Sequence, residues 1–203
     1  MLKAIDLTRE SRQTIISLAD HPAHHADWTR IEAPGLLLKD RKALSEFDPT
    51  IFIARSVLLD LSHKKFDQNI DDEDLEAAEE AAGLAIREND IVLIRTAISE
   101  NGAGVEVYPT LSLNAVEFLE FRHVAGVGVE TVSVDKPHDG YGEVHRALFE
   151  KGIFIIENLQ GFDRIDETKF QLIALPLKVR ATVSPSRVLA TLEQELQFAL
   201  RRH

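Results

Sequence analysis

Two periodicities alternate along the chain. Residues 71–90, DDEDLEAAEEAAGLAIREND, carry Leu75, Ala78, Ala82 and Ile86 at helical spacing behind an acidic first turn. With Asp71 or Asp72 as the cap, this stretch predicts a helix. DIVLIRT (90–96) follows as a short apolar, β-branched run of the kind buried on both faces of a sheet. The alternation then repeats. SLNAVEFLEF (112–121) predicts a helix capped by Ser112, and GVGVETVSVD (126–135) predicts a strand. EVHRALFEKG (143–152) predicts a short helix ended by Gly152, and IFIIEN (153–158) another buried strand. FQLIALPLKV (170–179) predicts one more, and TIFIARSVLLDLS (50–62) has strand character over most of its length. Strands alternating with helices place the chain in the α/β class, with a mixed β-sheet flanked by helices. No internal repeat or linker-like stretch interrupts the pattern, so residues 1–203 read as a single domain. At the end, Leu192, Leu196 and Ala199 fall at helical spacing before a basic terminus, which predicts a C-terminal helix or a frayed tail over about 191–203.

Composition narrows the chemistry. A net charge of −11, with no stripe of Lys and Arg, argues against a nucleic-acid partner. The absence of cysteine removes disulfides and thiolate metal sites, so any metal must be held by nitrogen and oxygen. MLKAIDLTRESRQ carries no apolar leader segment, and no run reaches the roughly 18 apolar residues of a membrane span. The expectation is a cytoplasmic protein with no membrane partner.

The densest concentration of candidate ligands is HPAHHAD (21–27). It offers His21, His25 and Asp27 in the pattern H-x3-H-x-D, a match that chance gives a chain of this composition roughly 0.02 times. In an extended segment His25 and Asp27 share a face, and a turn at Pro22 brings in His21. Two readings stand: a metal-binding triplet, or a histidine-rich polar turn. Further along, VHRALFEKGIFIIENL places His145 on the short helix and Glu157 twelve residues later, near the end of a buried strand. A carboxylate there is paired or ligated, unless it emerges into solvent where the strand stops.

At this point the sequence resembles a known family, the metal-dependent hydrolases of the cyclase family, which includes bacterial kynurenine formamidase and isatin hydrolase. DIVLIRT, GVGVETVSVD, VHRALFEKGIFIIENL and FQLIALPLKVRATVSPSRVLA look like its landmarks, in order, from about Asp48 to Ala190. The resemblance implies a swivelling β/β/α-like fold and hydrolysis of a small amide or lactam C–N bond by a metal-activated water. The family signature H-x-G-T-H-x-D-x-P-x-H fits HPAHHAD in a frame that puts His21, His25 and Asp27 on two histidines and the aspartate. The resemblance then implies one metal on His21, His25 and Asp27. Where the centre is binuclear, a second metal shares Asp27 and adds His145 and Glu157. Zinc is the first expectation and manganese the second, at one or two ions per chain.

The departures from the signature carry weight too. Ala23 and His24 replace its Gly-Thr, and Ile31 stands where it has a third histidine, the family's acid/base. Isoleucine transfers no proton. His24 is the nearest replacement in sequence, ahead of Glu32, His63 and His138, while His123 and His203 read as surface residues. Trp28, the single tryptophan, either stacks on an aromatic substrate or packs. The short segment before the site leaves it little cover, so a homodimer or higher homo-oligomer is expected. Two functions follow: a hydrolase of small-molecule C–N bonds, or a metal-binding protein of the same fold with little turnover that binds or regulates. A lyase using the same Lewis acid is a distant third.

Overall fold

The computed structural model describes residues 4–10, 28–39, 42–65, 68–96, 108–136 and 141–191. The alternation of strands and helices becomes a run of parallel crossovers. Strands β3 (Ile53–Asp60), β5 (Ile91–Arg95), β7 (Gly126–Val129) and β8 (Phe154–Glu157) pair in parallel. Between them run α1 (Asp72–Ala81), α2 (Leu113–Phe121) and α3 (Glu143–Glu150). A minor parallel pair, β4 (Asn69–Ile70) and β6 (Thr110–Leu111), lies apart from the main sheet.

Antiparallel strands complete the wall. β9 (Lys169–Pro176) pairs with β3, and β10 (Val183–Thr191) pairs with β9. β10 also pairs with β2 (Arg30–Glu32), which pairs in turn with β8. The mixed sheet therefore closes on itself as a barrel, with β1 (Ala4–Asp6) added along the far end of β10. Closure removes most of the unpaired strand edge that an open sheet would expose. The helices expected to flank the sheet, α1, α2 and α3, pack together against its parallel half.

Residue alternation divides the core in two. Ile91, Leu93, Phe154 and Ile156 point into the barrel, where they meet Ile31, Leu172 and Val188. Val92, Ile94 and Ile155 point outward, where they meet Leu75, Leu119 and Leu148 from the helices. In β7 the interior face is bare because a Cβ on Gly126 would come within 2.4 Å of the Phe154 ring. A Cβ on Gly128 would come equally close to Leu93.

Several boundaries shift for local reasons. The helix expected over 71–90 stops at Ala81, since Gly83 turns the chain at φ +64. Ser112 caps α2 as expected, its hydroxyl accepting from the Ala115 N–H at 3.2 Å. The strand expected over 126–135 ends at Val129, and the polar residues after it leave the sheet to bond elsewhere. Beyond Thr191, the expected C-terminal helix lies outside the described residues.

Candidate metal centre

The register of β2 against β8 puts Arg30 opposite Glu157, Ile31 opposite Ile156 and Glu32 opposite Ile155. Side chains alternate across a strand, so Arg30, Glu32 and Glu157 share the outer face under α3, while Ile31 and Ile156 face the interior. Two features clamp the ends of these strands. Asn158 takes a left-handed turn (φ 58) directly after Glu157, a conformation asparagine tolerates. Its carbonyl accepts from the Thr29 hydroxyl at 2.6 Å.

The third element is the N-terminus of α3. Asp135 accepts from the backbone N–H groups of Gly142 (2.9 Å), Val144 (2.9 Å) and His145 (3.1 Å), so it caps the helix and faces the positive end of its dipole. A Cβ on Gly142 would meet this carboxylate at 2.6 Å, which explains the glycine. The same Asp135 carboxylate bonds His145 Nδ1 at 2.5 Å, which fixes the ring and turns Nε2 toward the strands. There Nε2 lies 3.1 Å from Glu32 Oε2 and 3.3 Å from Glu157 Oε1.

Arg30 closes the other side. Its Nε donates to Glu32 Oε1 at 2.7 Å, and its Nη2 donates to Glu157 Oε2 and, at 2.7 Å, to the Val132 carbonyl. Arg30, Glu32, His145 and Glu157 are all 0% exposed. Tyr141 and Phe149 set their rings edge-on to the imidazole, at 5.0 and 5.9 Å between centroids.

Burial and charge pull the protons in opposite directions. Burial alone would strip the proton from His145, but the Glu157 charge and bonds to Asp135, Glu157 and Glu32 outweigh it, so its pKa is pushed up to about 11. For Glu32, burial is again the largest influence and would raise the pKa. Arg30 and His145 reverse it and hold the carboxyl below the usual range. Burial lifts the Tyr108 and Tyr141 phenols well above theirs, so both stay protonated.

The donor chemistry fits one divalent ion. His145 Nε2, Glu32 and Glu157 offer one nitrogen and two carboxylates whose donor atoms all lie within 4.8 Å of one another. Separations of 3.1 and 3.3 Å between Nε2 and the two oxygens match the edges of a shell with bonds of about 2.0–2.2 Å. Asp135 behind His145 is the outer partner that ligating histidines have.

Of the ligands expected from sequence, His145 and Glu157 are brought onto one face. His21, His25 and Asp27 lie outside the described residues, as do His24, His138 and His203. His63 and His123 are exposed. Trp28 is buried, and its carbonyl accepts from the Asn158 side chain. Ile31 faces the barrel interior, on the opposite side of β2 from the centre.

Glu32, a lesser candidate for proton transfer, is the third donor, and sequence reasoning misses Arg30 altogether. The signal for both is present. Sliding the signature five residues matches its Thr to Thr29 and its Pro to Pro34, and puts Glu32 on its aspartate. In that frame Ala26, Arg30 and Leu36 occupy the three histidine positions. Leu36 packs against the helix-side core, the side on which the centre lies.

Comparison with known proteins agrees with the architecture. The cyclase family model matches residues 5–136. The kynurenine formamidase of Bacillus cereus is 29% identical over 168 residues, 77% of this chain and 75% of its own. That of Bacillus cytotoxicus is 28% identical over 163 residues, 79% and 73% of the two chains. Isatin hydrolase A from Ralstonia solanacearum superposes with a TM-score of 0.78 at 23% identity, over 95% of this chain and 92% of that one. Isatin hydrolase A from Labrenzia aggregata gives 0.77 at 24%, over 94% of each. These structural likenesses establish the fold. Among the described residues no helix is long and apolar enough to cross a membrane.

Proposed function

Since the chain belongs to the cyclase family, we propose that it is a metal-dependent hydrolase of a small amide or lactam C–N bond, with one divalent ion on Glu32, His145 and Glu157. The convergence of these three buried donors on one face carries the reading. It is supported by the kynurenine formamidase relatives, and by an all-N/O donor set suited to zinc and then manganese. Bound there, a divalent ion supplies Lewis acidity and a water ionisable near neutral pH.

The chain's own residues prepare the position. Asp135 holds His145 with Nε2 turned toward the two carboxylates. Arg30 helps hold the Glu32 carboxyl below its usual range and fixes the orientation of Glu32 and Glu157 from the far side. The ring edges of Tyr141 and Phe149 keep the imidazole dry on its flanks.

We infer that the frame through Thr29, Glu32 and Pro34 holds the ion, rather than the one through His21, His25 and Asp27. Asp27→Ala then leaves zinc content unchanged, whereas Glu32→Gln abolishes it. His24 stays the candidate proton donor by sequence, and His24→Ala lowers kcat at constant metal content if it serves.

The deciding experiment assays the zinc-loaded and manganese-loaded protein on N-formyl arylamines, isatin-like lactams and lactones. Turnover that disappears in Glu32→Gln supports the hydrolase. A fully loaded protein inert on the whole panel overturns it. One observation favours a second reading, a binding protein of the same fold. When His145 is protonated, all four oxygens of Glu32 and Glu157 already accept from the chain's own N–H groups. Leu36 at the signature's acid/base position points the same way.

A further inference from the structure

Two adjacent carboxylates present four oxygens, and here these are used as two pairs. Glu32 Oε2 and Glu157 Oε1 face His145 Nε2, at 3.1 and 3.3 Å. Glu32 Oε1 and Glu157 Oε2 face the Arg30 guanidinium, the first at 2.7 Å from Nε. Each pair is bridged by one side chain, the His145 ring or the Arg30 guanidinium, with the Val134 N–H also donating to Glu157 Oε1 at 2.9 Å, and the carboxylate pair therefore has two positions for a cation.

The two occupants differ in kind. An imidazole has a ring nitrogen whose lone pair can bind an ion. A guanidinium does not lose its proton in proteins and offers no lone pair to a metal. Arg30 is also anchored. It sits directly opposite Glu157 in the ladder, is fully buried, and spends Nη2 on the Val132 carbonyl as well. It cannot move aside without leaving two buried carboxylates uncompensated.

We propose that the Arg30 guanidinium permanently fills the second cation position of the Glu32–Glu157 pair, so that the centre accepts one metal ion and never two. This rests on reading the cluster as a metal centre. It adds that the chain carries its second cation covalently, so the carboxylate pair stays compensated when the ion leaves.

Native mass spectrometry with elemental analysis of the full chain, titrated with zinc alone, tests both points separately. The expected result is one zinc per wild-type chain and two per Arg30→His chain, where a neutral imidazole replaces the guanidinium. Two zinc ions in the wild type overturn the proposal and leave the metal-centre reading standing. One ion in each protein also overturns it. No ion in the wild type but one in Arg30→His upholds the exclusion by Arg30 and removes the metal-centre reading for the native chain. No ion in either folded protein removes both. Should Arg30→His fail to fold, wild-type stoichiometry still decides between one ion and two. Arg30→Lys, which keeps the charge, is expected to stay at one.

Discussion

The centre and the pairs that anchor the helices are built from the same groups, arginine and carboxylate, under opposite conditions. Arg122, at the end of α2, donates twice to Glu79 Oε2 on α1, at 2.6 and 3.2 Å. Its guanidinium also lies over the Phe118 ring, and its side chain is 27% exposed. Arg55 pairs with Asp90 from a similarly half-wet position. Each of these pairs sets one cation against one carboxylate and leaves the cation touching water. The centre sets Arg30 and His145 against Glu32, Glu157 and Asp135 with almost nothing exposed. Full desolvation of that many charges is a poor route to stability, because well-packed apolar residues usually do as well or better. The proposed ion supplies a reason to keep such a cluster.

Breaking the comparison at its strongest point gives the largest effect. Arg30→Ala strands two buried carboxylates and is expected to cost about 3–5 kcal/mol in urea unfolding. Added zinc should restore part of that loss by binding the folded state alone. A loss under about 1 kcal/mol would place Arg30 with the partly wet pairs and undo the contrast. Ile31→His comes next. It moves a polar ring one residue along β2, onto the interior face among Ile156, Leu172 and Val188. Burying an imidazole without a partner there should cost about 1–3 kcal/mol and add no activity. A gain in turnover would mean that residue 31 reaches the centre. Asp135→Asn keeps the shape but removes the charge behind His145, and zinc affinity should fall about 10–100-fold. Unchanged zinc affinity would show that His145 needs no outer partner.

What the sequence discloses follows from how local each signal is. DIVLIRT, IFIIEN and the two capped helices depend on neighbours within a turn or a strand; β5, β8 and α2 form where their patterns lie, and α1 fills the first half of its own. Barrel closure does not have that character. β2 is three residues long and reads as nothing until β10 and β8 pair with it from more than 120 residues away. The same distance hides the centre. His145 and Glu157 were legible because a helix and the next strand carry them twelve residues apart. Arg30 and Glu32 become candidates only once the register puts them beside Glu157. The histidine-rich HPAHHAD is the louder motif, and its frame for the signature stands five residues before the one we infer.

The smallest predicted effect tests the other half of the comparison. Removing the Arg122 guanidinium by substitution with alanine uncovers the buried Glu79, which still accepts from the Ile86 N–H at 2.7 Å. Water can take up the vacated oxygen, because the arginine's own position is partly wet. The cost should then be about 1 kcal/mol, near the top of the range for solvated pairs. Zinc stoichiometry should not move, since no group of the centre touches Arg122 or Glu79 among the described hydrogen bonds. If Arg122→Ala cost as much as Arg30→Ala, burial would not be what separates the two kinds of cluster. If it shifted zinc binding, α1 and α2 would have to be counted among the elements that shape the centre.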